Sequence, residues 1–368
     1  MSGLSGNRGE WSEVYAFFRI IAEGRLYGAD GDTKKRDDIF YDVNKILRQE
    51  NEKEIEYIIS DDEKKAIVKS GDNVIVEIEK IEFSREADYL FDLIKNTKGP
   101  TFSSERTENF MSKIKCYKIK APSKDKSDIT IEIHDPRTNL EHILGFSIKS
   151  KLGHPSTLLN PGKTTNFKFS INGNIDPFID EDGEIKTESG DKRRITLSDK
   201  FSMLVKKGIT FDYSGMDNDT FFDNLSMIDS KMDHIVAEML KLHYINGISN
   251  IKEQAAILEK TNPLNFKSRS DSNFYSFKIK KFLAAVALGM KPASVWDGTE
   301  DANGGYIIVK EDGEVLCYHI YNRNDFENYL FNNTVLDTPS TTRYEFANIM
   351  IDEKGQYFVK LNLQIRFK

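Results

Sequence analysis

The stretch from Asp128 to Ser150 constrains the fold more than any other part of the chain. From Asp128 to His134 the sequence Asp-Ile-Thr-Ile-Glu-Ile-His alternates polar and apolar residues without a break, the period of a strand with one buried face. Asp135-Pro136-Arg137-Thr138-Asn139 has turn chemistry, and His142 to Ser150 makes a second, more apolar strand. A turn centred on residues 137–138 sets Asp128 opposite Ser147. Side chains alternate across a strand, so Asp128, Thr130, Glu132 and His134 share one polar face. Ile129, Ile131 and Ile133 turn to the other face with Phe146 and Ile148. Asp128, Ser147 and Lys149 therefore meet on the polar face at the open end of the hairpin. Asp135 is the rival carboxylate, but its parity follows the apolar face and it lies in the turn.

Helical spacing of Trp11, Val14, Phe17, Phe18, Ile21 and Leu26 predicts an amphipathic helix over residues 10–27. Helices are expected around 36–50 and 84–96, with a strand near 73–83. A strand with a basic face is expected at 113–120, then a lysine-bearing turn at 121–127. Residues 174–196 read as loop with a tight Asp182-Gly183 turn. Helices follow at 230–246, 251–260 and 273–289. Strands at 305–310 and 314–320, a short helix at 324–331 and a last strand at 356–367 complete the chain. No linker stands out, so a single compact α/β body over 1–368 is expected. Its core spans 8–28 and 101–210, with a charged insertion at 30–100 and a helical and β region at 230–368.

Composition excludes several classes of function. The two cysteines, Cys116 and Cys317, are isolated from each other and from any Cys/His cluster, which argues against structural zinc or a disulfide framework. The six histidines form no metal-binding spacing, and no phosphate-binding glycine loop occurs. No apolar run approaches the roughly 20 residues of a membrane span, and Met1 to Gly9 does not read as a signal sequence, so a cytoplasmic location is expected. The net charge of −7 is unevenly spread. Residues 1–100 hold 16 Lys/Arg against 22 Asp/Glu, whereas residues 101–170 hold 12 against 7. A locally positive surface binds phosphate even on an acidic protein.

Hydrolysis of a phosphodiester asks for carboxylates to hold Mg²⁺ and a cation to offset charge building on the phosphate. The hairpin offers Asp128 and Lys149. The run from Asp128-Ile129 to Ser147-Ile148-Lys149-Ser150 resembles the PD-(D/E)xK nuclease motif, with Ser147 where the second carboxylate belongs. Resolvase-type members of that superfamily carry a glutamate on the first helix as Gly-x-x-x-Glu. Gly9-Glu10-Trp11-Ser12-Glu13 is similar, which implies Glu13 as the second metal ligand, with Glu10 as the alternative.

A narrower resemblance runs along nearly the whole chain. Gly9 to Glu13, Gly145 to Gly153, Ser156-Thr157-Leu158-Leu159-Asn160, Thr165-Asn166-Phe167, Tyr318 to Asn322 and Lys360 to Phe367 resemble the HpaII family of type II restriction endonucleases. The resemblance implies a PD-(D/E)xK-type core, a mixed central sheet flanked by helices with an α+β C-terminal elaboration. It also implies Mg²⁺-dependent, sequence-specific cleavage of double-stranded DNA. A homodimer and a neighbouring methyltransferase gene are the expected partners.

Lys151, Ser156, Thr157, Asn160, Lys163, Thr165 and Asn166 follow the catalytic strand and are candidates for DNA contact. His154 reads as a loop residue. Asp176-Pro177 with Glu184-Ile185-Lys186 spells the nuclease motif more fully, but Asp182-Gly183 breaks any strand before it. Two alternatives stay open: a structure-specific, resolvase-like nuclease, and an inactive DNA-binding protein on the same fold.

Overall fold

Asn7 starts the first helix. Its side chain accepts the Glu10 N–H at 3.0 Å while Glu10 Oε2 accepts the Asn7 N–H at 2.9 Å, so two otherwise orphaned donors at the helix start are satisfied reciprocally. The helix, α1 (Arg8–Glu23), stops at Gly24, whose φ of 71° costs a glycine nothing. Leu26, expected on this helix, lies instead in β1 (Arg25–Ala29).

The computed structural model describes residues 3–60, 62–120, 127–186, 195–267 and 272–368. The chain divides into two compact units, Met1–Ser156 with Glu300–Tyr329, and Thr157–Thr299 with Leu330–Lys368. In the first unit β1 is followed by β2 (Lys35–Glu50), β3 (Lys53–Ile59), β4 (Lys65–Ser70) and β5 (Asn73–Glu79). Then come α2 (Lys80–Asn96), α3 (Glu105–Lys113) and the hairpin β6 (Ile129–Asp135) and β7 (Leu140–Ser150). The second unit holds β8 (Thr157–Leu159), β9 (Asn166–Asn172), α4 (Leu197–Lys206), β10 (Thr210–Met216), α5 (Asp219–Ile228), α6 (Met232–Asn246), α7 (Ile251–Thr261) and α8 (Phe274–Leu288). The chain then supplies β11 (Gly305–Val309) and β12 (Val315–His319) to the first unit, followed by α9 (Arg323–Asn333). The second unit ends with β13 (Thr334–Leu336), α10 (Thr341–Tyr344), β14 (Ile349–Ile351), β15 (Tyr357–Asn362) and β16 (Ile365–Phe367).

The first unit is built on one nine-stranded sheet in the order β1-β12-β11-β7-β6-β2-β3-β4-β5. It is mixed: β11 runs parallel to β7 and β12 parallel to β1, whereas the other pairs are antiparallel. Residues 30–100 thus extend the same sheet as the hairpin. Trp11, Val14, Phe17, Phe18 and Ile21 of α1 share one buried cluster with Phe83, Leu90 and Ile94 of α2 and with Ile129, Ile131, Phe146 and Ile307 of the sheet. The second unit carries two smaller sheets, β10-β9-β15-β14 and β13-β16-β8, beside a helical part. None of the described helices is long and apolar enough to cross a membrane.

Residues 36–50 are a strand, not the expected helix. The buried positions are Ile39, Tyr41 and Val43, then Ile46, Arg48 and Glu50. A bulge between Val43 and Lys45 in the pairing with β6 inserts a step of three into a period of two. The spacing 39, 43, 46, 50 then imitates a helix. Residues 113–120 likewise form no strand: α3 runs to Lys113, and the following segment turns through Lys115 at φ 61°. Most of the expected turn after it, 121–126, lies outside the described residues, as does 187–194 of the expected loop. The helices at 230–246, 251–260 and 273–289 and the strands at 305–310 and 314–320 are present nearly as expected. The last stretch, 356–367, is two short strands.

One buried ion pair lies inside this sheet. Arg48 Nε donates to Glu50 Oε1 at 3.0 Å, with side chains only 8% and 1% exposed. Glu50→Ala strands the guanidinium without its counter-charge, and a loss of about 3–5 kcal/mol is expected, read as a lowered urea midpoint. The double replacement Arg48→Met with Glu50→Leu should lose less than Glu50→Ala alone.

Candidate active site

The hairpin pairs in the expected register, with Ile129 opposite Phe146 and Asp135 opposite Leu140. Just before β6, the Asp128 N–H donates to Phe146 O at 2.8 Å. This bond holds the carboxylate against β7. Asp128 Oδ2 accepts from Ser147 Oγ at 3.0 Å and from the Ile148 N–H at 2.7 Å. Lys149 Nζ donates to the same Ser147 Oγ at 3.0 Å. A hydroxyl can accept one hydrogen bond and donate another, so Ser147 links ammonium to carboxylate. The three residues form one continuous polar chain.

Tyr306 was not among the residues singled out from the sequence. The parallel pairing of β11 with β7 sets it opposite Ser147, and Lys149 Nζ lies 5.3 Å from its ring centroid, within cation–π range. Burial, and then the charge of Asp128, push the Tyr306 phenol up, so it stays neutral. Gly304 and Gly305 make this approach possible. A Cβ on Gly304 would come 2.8 Å from the Phe146 ring, and one on Gly305, at φ 100°, would strike the Tyr318 carbonyl at 2.1 Å. Asn303 Oδ1 also accepts the Gly145 N–H at 2.9 Å. None of this is local in sequence; only the Gly-Gly-Tyr run hints at it.

Helix α1 is pinned to the end of β7. Ser150 Oγ donates to Ser12 Oγ at 2.8 Å, and Ser12 Oγ donates to Arg8 O at 2.6 Å. The next residue is Glu13. Its Oε2 is buried and meets no hydrogen-bond donor among the described residues. Burial, and then the negative charge of Asp128, push its carboxyl up to about 8 against the pull of Arg48, Lys149 and Lys120. Glu10 is differently placed. Burial disfavours its charge, but the Asn7 N–H and Lys120, 3.0 Å away, outweigh that and hold it below the usual carboxylate range. Glu10 thus caps α1 and pairs with Lys120 at the surface, while Glu13 is buried and carries the added influence of the Asp128 charge.

The other candidates are dispersed. Asp135 is buried and takes three hydrogen bonds from Arg137, whose guanidinium also reaches the Tyr41 hydroxyl; it closes the turn at the far end of the hairpin. Lys151 is half-buried, and burial holds its amine below the usual lysine range despite Glu311. Ser156 is also half-buried and ends the first segment of its unit. In the second unit Thr157 is half-buried, Asn160 is exposed and Lys163 pairs with Glu345. Thr165 and Asn166 are buried there. Thr165 Oγ1 bonds the backbone of Gly162, and the Asn166 amide is shared between Tyr344 O and Asn362. Their polar groups are used inside the fold. His154 is exposed, in the bend after β7. Asp176, Glu184 and Lys186 lie in the second unit, where Asp176 accepts from the Tyr357 hydroxyl and Asp180 closes the turn onto the Glu184 N–H at 2.8 Å. No nuclease-like strand forms around them.

A chain of lysine, hydroxyl and carboxylate beside a second carboxylate is suited to binding a cation and a phosphate together. The family described as HpaII restriction endonuclease matches residues 7–367. The type II restriction enzyme HpaII of Haemophilus parainfluenzae is 42% identical over 365 residues, covering 99% of each chain. No solved structure matches the chain. Both matches run along almost the whole sequence, and the chain belongs to the HpaII restriction endonuclease family.

Proposed function

We propose that this type II restriction endonuclease hydrolyses phosphodiester bonds in double-stranded DNA with Mg²⁺ at Asp128, Glu13, Ser147 and Lys149, on a PD-(D/E)xK-type core. The observation that carries the reading is the buried, unpartnered Glu13 Oε2 beside Asp128. Two carboxylates brought together are costly to ionise at once, and here Arg48, Lys149 and Lys120 only partly offset that cost, which a divalent cation would lower further. Asp128 Oδ1 also takes no hydrogen bond among the described residues, since both bonds go to Oδ2. Mg²⁺ takes oxygen ligands, keeps several waters and needs only one or two carboxylates, so this donor set fits. When bound, it would lower the pKa of a water and offset phosphate charge.

The chain's own residues do the rest. Asp128 and Glu13 would hold the ion. Ser147 keeps Asp128 and Lys149 in one arrangement by bonding both. Lys149 supplies a positive charge beside the phosphate, where negative charge grows in the transition state. The Tyr306 ring covers Lys149 and confines its ammonium. Membership of a type II family favours sequence-specific cutting over a structure-specific or inactive reading. A two-fold dimer on a palindromic target, with a methyltransferase gene nearby, is the arrangement that accompanies such cutting.

Plasmid digestion with Mg²⁺ should give discrete fragments whose sequenced ends define the target, and chelation should stop it. Lys149→Ala should cut at least about 100-fold more slowly while still retarding the same fragment; undiminished cleavage refutes its role.

Glu13 gives a second test, free of activity. In the folded, metal-free protein it takes up its proton at about 8, against an ordinary 4.5. The folded state therefore binds more protons across that window. The resulting stabilisation is full below the ordinary value and is lost as pH rises through about 8. Metal-free Tm should fall over this range and Glu13→Gln should flatten the fall, gaining roughly 2–4 °C for each ~1 kcal/mol recovered near pH 8. Mg²⁺ should raise Tm at that pH in the wild type far more than in the variant. Equal pH slopes in both proteins would remove Glu13 from the site.

A further inference from the structure

Residues 113–120 carry four lysines and one exposed tyrosine. Ile114, Cys116 and Ile119 are buried in the main cluster, whereas Lys113, Tyr117 and Lys120 are exposed and Lys115 and Lys118 half-buried. Beyond Lys113, the end of α3, the segment is neither helix nor strand, yet its backbone is fixed at both bonding faces. Glu50 Oε2 accepts the Tyr117 N–H at 2.9 Å, and Arg48 donates a 2.8 Å bond to Lys118 O. These are the two members of the buried ion pair inside the sheet. A buried pair is a weak source of stability compared with an apolar substitute. Here it also serves as a clamp, one member gripping an N–H and the other a carbonyl of adjacent residues.

The clamped segment leads to the candidate active site. Its last described residue, Lys120, is 3.0 Å from Glu10, on the first turn of α1 and one residue short of the turn that bears Glu13. Arg48 itself lies 5.3 Å from the ring of Phe17, one helical turn beyond Glu13. Lys115 adopts φ 61°, a conformation glycine would hold at less cost, and its side chain is half-buried beside the exposed Lys113. The ion pairs that Lys113 and Lys120 make, with Glu82 and Glu10, have side chains 27–60% exposed. Exposed pairs of this kind contribute about 0–1 kcal/mol and exchange readily for phosphate.

We infer that the 113–120 segment, clamped by Arg48 and Glu50, is a DNA-backbone track that delivers phosphates to the active site through Lys115, Lys118 and Lys120. The inference rests on the proposed nuclease reading and adds a contact surface to it. Phosphate contacts of this kind are independent of base sequence and release counter-ions, so affinity falls with salt by a slope of about 0.9 per contact.

The test is fluorescence anisotropy of a 30-base-pair duplex lacking the target, without divalent cation, between 50 and 200 mM NaCl. Lys115→Gln, Lys118→Gln and Lys120→Gln together should flatten the salt slope by about 2–3. The three Lys→Arg counterparts should restore it. A control exchanging Lys34 and Lys64, on exposed turns elsewhere in the same unit, should leave the slope near wild type. An unchanged slope in the triple glutamine variant, or an equal change in the control, overturns the track while plasmid cutting by the wild type keeps the nuclease reading intact. A wild type that cuts no duplex under any divalent metal fails the functional reading itself, and the track with it.

Discussion

Everything proposed for the site depends on the two hydrogen bonds received by a single oxygen of Asp128. The Ile148 N–H and the Ser147 hydroxyl fix the carboxylate against β7, and the same hydroxyl collects Lys149. Without them, an acid at the frayed start of a strand would have many rotamers and no fixed partner. With them, one face of the hairpin presents opposite charges joined through a neutral group. The serine thus has a positive structural role where a second carboxylate would have brought repulsion.

The sheet places the second acid at a distance from the first in sequence but close in space. Ser12 and Ser150 couple α1 to β7, and the aromatic cluster of Phe17, Phe18, Phe83 and Phe110, with edge-to-face contacts at 5.1–6.4 Å, fixes the helix from its other side. Aromatic pairs of this geometry are individually worth about 0.5–1.5 kcal/mol beyond burial, and their crossed planes resist sliding. Glu13 is consequently held where burial and the charge of Asp128 disfavour its ionised form. That local cost is what the proposed metal site draws on.

How much of this was legible in the sequence depends on how local each signal is. The hairpin register and the parity of Asp128, Ser147 and Lys149 were readable because a period of two is set by adjacent residues. Glu13 was readable because helical spacing is equally local, and resemblance to known nucleases gave it a role. The bulge in β2 concealed a sixteen-residue strand by shifting its period once, in the middle. Tyr306 was invisible because a parallel pairing across more than 150 residues leaves no periodic trace. Thr165 and Asn166 show the converse limit: polar side chains in a loop look alike whether they face solvent or satisfy the backbone within.

The sheet order has a consequence for the timing of synthesis. β11 and β12 lie between β7 and β1, yet they are contributed only by residues 305–319, after the first segment of the second unit, Thr157–Thr299, has been made. A nascent chain short of these strands has its lysine and acids but lacks the neighbour of β7 that supplies Tyr306. At about 5–20 residues per second, the ribosome spends several seconds or more between the hairpin and those strands. For a DNA endonuclease of this family, the order of strands acts as a delay. The proposed site is not assembled until the polypeptide is nearly finished.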